Sequence, residues 1–151
     1  MNELIIYTDG ASRGNPGPGG YGIILKHGSR RKEISKGFLL TTNNRMELLS
    51  VIVALESLKS RSYPVIIYSD SRYVIDAVEK GWLWGWEKKD FRNKKNADLW
   101  KRFIPLYRNF RVKFKWVKGH AGDPENERCD TLAVAAAGQK NLASDTGYNA
   151  E

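Results

Sequence analysis

Two short runs of apolar and aromatic residues, Leu4-Ile5-Ile6-Tyr7-Thr8 and Val65-Ile66-Ile67-Tyr68, do most to limit what this chain can fold into. Rich in β-branched side chains and bounded by turn residues, they read as buried strands, and strands buried on both faces need helices on both sides of their sheet. Between them, Tyr21 to Lys26 and Arg31 to Leu39 have strand character and meet across His27-Gly28-Ser29, a turn-forming hairpin centre. The stretch Gly14-Asn15-Pro16-Gly17-Pro18-Gly19-Gly20 reads as loop. From Asn44 onward, Leu48, Val51, Ile52, Leu55 and Leu58 fall on one helical face. Tyr63-Pro64 ends that helix, and the order strand, helix, strand predicts a parallel crossover.

The same reasoning continues to the end of the chain. Ser71 to Glu79 reads as a helix. Asn96 to Asn109 carries Leu99, Trp100, Phe103, Ile104 and Tyr107 at helical spacing, with a kink or restart expected at Pro105. Phe110 to Val117 alternates like a half-buried strand, and Asp123-Pro124, a cap followed by proline, opens a last helix through Cys129, Leu132, Ala133 and Ala136. Residues 139–151 are small and polar, a tail expected to be loosely held. The expected fold is α/β: one domain over residues 1–151, with a mixed five-stranded sheet, its first three strands antiparallel and the later ones added in parallel, and helices on both faces. A chain of 151 residues with 41% hydrophobic content suits one core.

Charge and cysteine content narrow the function classes. Twenty-five Lys and Arg against seventeen Asp and Glu give +8, which biases the surface toward polyanions such as nucleic acid. Cys129 is the single cysteine, so neither an intramolecular disulfide nor a cysteine-based zinc cluster can form, and a reducing setting fits best. Met1-Asn2-Glu3 lacks the features of a secretory signal, and no apolar run approaches the roughly 20 residues of a membrane span. A cytoplasmic monomer without membrane contact is expected.

Four carboxylates stand out. Asp9 and Asp70 end predicted strands, where open α/β sheets place their ligands; Glu47 falls in the first turn of the helix after Asn44, and Asp130 early in the last helix. Each has an ordinary alternative. Asp9-Gly10 is a good turn dipeptide, Asp70 could cap the helix at Ser71, Glu47 has capping-box spacing from Asn44, and Asp130 could be a solvated helix residue. If the two strands are neighbours, however, the four converge, and their mutual repulsion would call for a divalent cation. Hard oxygen ligands without a Cys or His framework favour Mg²⁺ or Mn²⁺, and two such ions suit in-line hydrolysis of a phosphodiester.

The blocks Tyr7-Thr8-Asp9-Gly10, Gly14 to Gly22, Thr41-Thr42-Asn43-Asn44-Arg45-Met46-Glu47-Leu48, Ser69-Asp70-Ser71, Trp116-Val117-Lys118-Gly119-His120-Ala121-Gly122 and Asn126 to Asp130 resemble bacterial ribonuclease HI, in order and over nearly the whole chain, to Asp145-Thr146-Gly147-Tyr148. The resemblance implies endonucleolytic cleavage of the RNA strand of an RNA/DNA hybrid, with 5'-phosphate and 3'-hydroxyl products. It implies that Asp9 bridges two metals, that Glu47 and Asp70 complete the site near the leaving group, that Asp130 holds the metal that activates water, and that His120 moves a proton or aids product release. His27, in the hairpin turn, carries no such implication.

Substrate residues follow by the same resemblance. Gly10, Asn15, Asn43, Asn44 and Glu47 would lie along the two strands in the minor groove, where the ribose 2'-OH distinguishes RNA from DNA; the asparagines also suit turns and caps. Thr42 and Arg45 would serve a phosphate pocket. Four of the five tryptophans lie between Lys80 and Arg102, a segment with eight basic and three acidic residues. It resembles the family's basic protrusion, with Trp82, Trp86, Lys88 and Lys89 on the substrate surface and Trp82 against the DNA strand, while Trp86 and Trp100 equally suit core positions. The chain departs from the family in three places: the segment between Trp86 and Asn96 is shorter, Gly85 stands where an asparagine is expected, and Arg72, itself among the expected substrate-binding residues, stands where a glutamine is.

Overall fold

The first strand, β1 (Leu4–Ser12), is the hub of the computed structural model, which describes residues 3–119 and 121–148. It pairs antiparallel with β2 (Gly17–His27), which pairs antiparallel with β3 (Arg30–Thr41) across the predicted Gly28-Ser29 turn. On its other edge β1 pairs in parallel with β4 (Val65–Ser69), and β4 with β5 (Val112–Trp116), so the sheet runs β3-β2-β1-β4-β5. The expected mixed sheet is therefore present. Helix α1 (Asn43–Glu56) lies on one face of β1 and α5 (Pro124–Ala137) on the other. Ile6, Ile23, Ile67 and Phe114 join Leu48, Val51, Ile52 and Leu55 of α1 in the main core.

Two loop assignments change. β1 does not stop at Thr8 but runs on through Asp9-Gly10 to Ser12, and β2 begins at Gly17, inside the stretch expected to be loop. The glycines serve helix packing rather than a turn. A Cβ on Gly20 would lie 2.7 Å from the Ala133 carbonyl oxygen, and one on Gly22 would collide with the Cys129 carbonyl. Backbone of β2 thus touches backbone of α5, an approach that only missing side chains permit.

The helix starts are set by hydroxyl caps. Thr42 accepts a hydrogen bond from the Arg45 amide at 3.2 Å and Ser71 one from the Val74 amide at 3.3 Å, so neither Asn44 nor Asp70 is the cap. Asp123 caps α5 as expected, accepting from the Glu125 and Asn126 amides. Helix α2 (Arg72–Glu79) leads into α3 (Trp82–Lys88), which the periodicity did not reveal. Helix α4 (Ala97–Asn109) continues through Pro105 without a break. Pro105 and Lys101, whose carbonyl loses its partner, are both exposed, so water can take that hydrogen bond.

One buried cation ties the far parts of the chain together. Arg45, 1% exposed, directs its guanidinium at Asp98 (2.8 Å from both Nη1 and Nη2), at Asp145 (Nε 2.7 Å, Nη2 2.9 Å) and at Asn96 (Nη1 3.3 Å). Asp145 also accepts from the Thr41 hydroxyl at 2.6 Å, and Ala143 exchanges backbone hydrogen bonds with Gly37 and Leu39 of β3. These contacts fix the tail as far as Tyr148, where composition led us to expect loose attachment. Arg45→Met leaves the Asp145 carboxylate buried without its partner and is expected to destabilise the fold by about 3–5 kcal/mol in urea unfolding. A loss below about 1 kcal/mol would mean that the anchor contributes little.

Candidate metal centre

The parallel register between β1 and β4 sets Tyr7 opposite Tyr68, and the same offset brings Asp9 level with Asp70. Asp9 still belongs to β1, paired with Gly22 on its other side, while Asp70 has just left β4. Glu47 arrives from α1 at Gly10. A Cβ on Gly10 would lie 2.5 Å from the Met46 carbonyl carbon and collide with the Glu47 amide, so glycine is what lets α1 sit this close. The Gly10 amide then donates to Glu47 Oε1 at 2.7 Å and to Asp9 Oδ1 at 2.9 Å. Oxygens of Asp9, Glu47 and Asp70 all lie within 4.8 Å of one another. Asp130, on α5, lines the same cleft of about 410 Å³ but stands outside that tight group of three.

Burial and repulsion make this cluster unstable as three anions. Burial, then Glu47, Asp70 and Asp130, push the Asp9 carboxyl far above the usual carboxylate range. Burial pushes Glu47 up as well, opposed by its hydrogen bonds with Asp9, the Gly10 amide and the Ser71 hydroxyl. With no cation bound, burial and repulsion thus favour a shared proton on the pair over two charges. The donor set is carboxylate oxygen only, which fits a hard divalent cation, and such a cation would remove the repulsion. Ser71 was not foreseen as part of the site, although its place directly after Asp70 in the Ser69-Asp70-Ser71 block was the available signal. Gly119 lies so close that a Cβ there would sit 2.9 Å from Asp70 Oδ2, which brings the loop after β5 to the cleft. His120 itself lies outside the described residues.

The expected substrate residues fall along a track leading away from the carboxylates. Gly10, Asn43, Asn44 and Arg72 line the metal cleft. Asn44 also lines an adjoining cavity of about 700 Å³ with Asn15, Thr42 and Lys94, and Lys94 in turn borders a groove of about 840 Å³ formed by Trp82, Gly85, Trp86, Lys88, Lys89 and Arg92. Asn15 is partly engaged, its Oδ1 accepting from the Asn43 amide at 3.2 Å. Trp82 is 49% exposed beneath Lys80, whereas Trp86 is half-buried between Trp100 and Lys94. Trp100 is wholly core. Arg45 differs from expectation: all five of its N–H donors are committed to Asp98, Asp145 and Asn96, leaving none for a phosphate. Its role is to support the cavity wall.

The family model described as RNase H matches residues 1–138. A curated protein named Ribonuclease H from Desulforamulus reducens is 57% identical over 150 residues, 96% of this chain and 94% of that one. Among solved structures, LC9-RNase H1, described as a type 1 RNase H with the type 2 active-site motif, is similar with a TM-score of 0.81 and 31% identity, over 91% of this chain and 73% of that one. LC11-RNase H1, solved in complex with an RNA/DNA hybrid, is similar with a TM-score of 0.66 and 25% identity, over 89% of this chain and 96% of that one.

The raised Asp9 carboxyl has a consequence for stability. A carboxyl whose folded pKa exceeds its unfolded value near 4 contributes its full stability below that value and loses it as pH rises toward the folded pKa. In chelator, stability is expected to decline as pH is raised from about 4 toward neutrality, and Asp9→Asn should flatten the decline and raise neutral-pH stability by about 1–3 kcal/mol. Parallel pH curves for the two proteins would contradict the electrostatics described above.

Proposed function

The chain belongs to the ribonuclease H family, and from that premise we propose that it cuts the RNA strand of RNA/DNA hybrids endonucleolytically with two Mg²⁺ ions, leaving 5'-phosphate and 3'-hydroxyl ends. Family membership implies the enzyme class and hybrid cleavage. The observation that carries the metal-dependent mechanism is the gathering of Asp9, Glu47 and Asp70 around one point. When bound, two Mg²⁺ ions, or Mn²⁺ in their place, would stabilise the attacking and leaving oxygens of an in-line displacement. Asp9, Glu47 and Asp70 would hold one ion, and Asp9 with Asp130 the other. The Gly10 amide and the Ser71 hydroxyl orient Glu47, and β1 fixes Asp9, so these ligands are held in place before a cation arrives. His120 is assigned to proton movement or product release, and the neighbouring Gly119 lies close enough to Asp70 that a Cβ on it would sit 2.9 Å from Asp70 Oδ2.

The hybrid would follow the track from Asn43 and Asn44 past Asn15 and Thr42 to Trp82, Trp86, Lys88 and Lys89. Short amides beside the metal cleft suit contact with the ribose 2'-OH, and the basic, indole-lined groove suits the DNA backbone. The chain spans nearly the whole length of the curated relative above, and no helix among its described residues is long and apolar enough to cross a membrane. We assign it to the cytoplasm, as a monomer.

Incubation with labelled hybrid, duplex RNA and duplex DNA, with Mg²⁺ or chelator, tests this reading. Hybrid alone should be cut, only with metal, and the fragments should carry 5'-phosphates. Comparable cleavage of duplex DNA would point instead to a DNA-cutting relative, and binding without cleavage in any metal to a hybrid-binding module. Asp9→Asn should abolish turnover, and His120→Ala should slow it about 10- to 100-fold with a changed pH–rate profile. An unchanged rate would remove His120 from the reaction.

A further inference from the structure

Resting on the hybrid-nuclease reading, we propose that Arg72, carried on the face of Trp116, binds a phosphate of the RNA strand as that strand passes the metal centre, and that Trp116 also positions Asp70. Trp116 is the last residue of β5, paired with Ser69, the last of β4. From there its indole folds over the start of α2. Its Nε1–H donates to the Asp70 backbone carbonyl at 3.3 Å, and its ring lies 4.1 Å from the Arg72 guanidinium. Trp116 is nevertheless 43% exposed, which is unusual for a large apolar side chain whose only role is packing.

The arrangement leaves the guanidinium ready for an anion. Stacking uses its face, while the N–H groups around its edge, which suit phosphate geometry, remain available. Its ion pair with Asp76, at 3.6 Å, is longer than a hydrogen bond, and the side chain is 59% exposed. Because the indole already restricts the arginine's rotamers, less side-chain freedom is lost when a phosphate binds. The position identifies the strand: Arg72 lines the same cleft as Asp9, Glu47, Asp70 and Asp130, so the backbone it meets is the one being cut. A cleft built from carboxylates repels a polyanion, and a fixed cation on its wall offsets that repulsion where the strand must come closest.

The two roles separate by substitution. Hybrid binding measured by fluorescence anisotropy in chelator should weaken about three- to tenfold in Arg72→Gln, and the slope of log affinity against log salt should fall by about one. Arg72→Lys, which keeps charge without the stacking plane, should restore the slope and only part of the affinity. A neutral methylphosphonate in the RNA strand beside the cut should weaken wild type but not Arg72→Gln, whereas the same change in the DNA strand should leave the difference between them intact. Trp116→Phe keeps a ring for Arg72 and removes the donor to Asp70, so with Mg²⁺ its kcat should fall more than its KM rises. Trp116→Leu should show both losses, and if it fails to fold, the Phe variant carries the test. A wild type that binds hybrid while Arg72→Gln matches it in affinity and slope overturns the phosphate contact alone, and an unchanged kcat in Trp116→Phe overturns the positioning of Asp70. A wild type that neither binds nor cuts hybrid overturns the underlying reading and this proposal with it.

Discussion

Repulsion among three carboxylates held within one small volume is the constraint around which this structure is organised. Left to themselves, Asp9, Glu47 and Asp70 would separate or take up protons, and their oxygens, all within 4.8 Å of one another, show that the fold prevents separation. The restraint is backbone geometry. The β1–β4 register keeps Asp9 and Asp70 level, and the close passage of α1 over Gly10 brings in Glu47 with an amide already donating to it. A site that is destabilising when metal-free is what a cation-binding centre requires, because relief of that repulsion becomes binding energy.

The rest of the fold keeps this geometry rigid. Helix α5 lies directly on glycine backbone of β2, which places Asp130 at the cleft from the opposite face of the sheet to α1. Arg45, two residues before Glu47, locks the start of α1 to α4 through Asp98 and to the C-terminal segment through Asp145. A residue expected to touch substrate thus acts by holding the helix that carries Glu47. The indole-lined groove that carries Lys88, Lys89 and Arg92 lies apart from the carboxylates, beyond the cavity that Lys94 borders, so those basic side chains do not neutralise the carboxylate cluster.

What the sequence revealed depended on whether the deciding interaction was local. The buried runs at Leu4 and Val65, the hairpin at Gly28 and the Asp123-Pro124 cap are short-range signals, and the structure contains the elements they imply. Asp9-Gly10 and the glycines before Tyr21 misled because turn-forming composition and close helix packing select the same residues, and only the position of α5 distinguishes them. The cap positions moved by one or two residues because threonine, serine, asparagine and aspartate compete for the same place, and the geometry favoured Thr42 and Ser71. Arg45 was misjudged because its partners lie 53 and 100 residues away. Three of the four carboxylates were legible as a cluster once two strand ends could be set side by side, and the fourth, Asp130, lines the cleft at its margin.

The most direct test of a cation site built on repelled carboxylates is a count of protons released when metal binds. Calorimetric titration of Mg²⁺ or Mn²⁺ at pH 7, repeated in buffers of differing ionisation enthalpy, gives that count. Release of about one proton in the wild type, lost in Asp9→Asn, would show that the cation displaces the proton held by Asp9 and Glu47. Binding with no proton released, or release that survives Asp9→Asn, would contradict it.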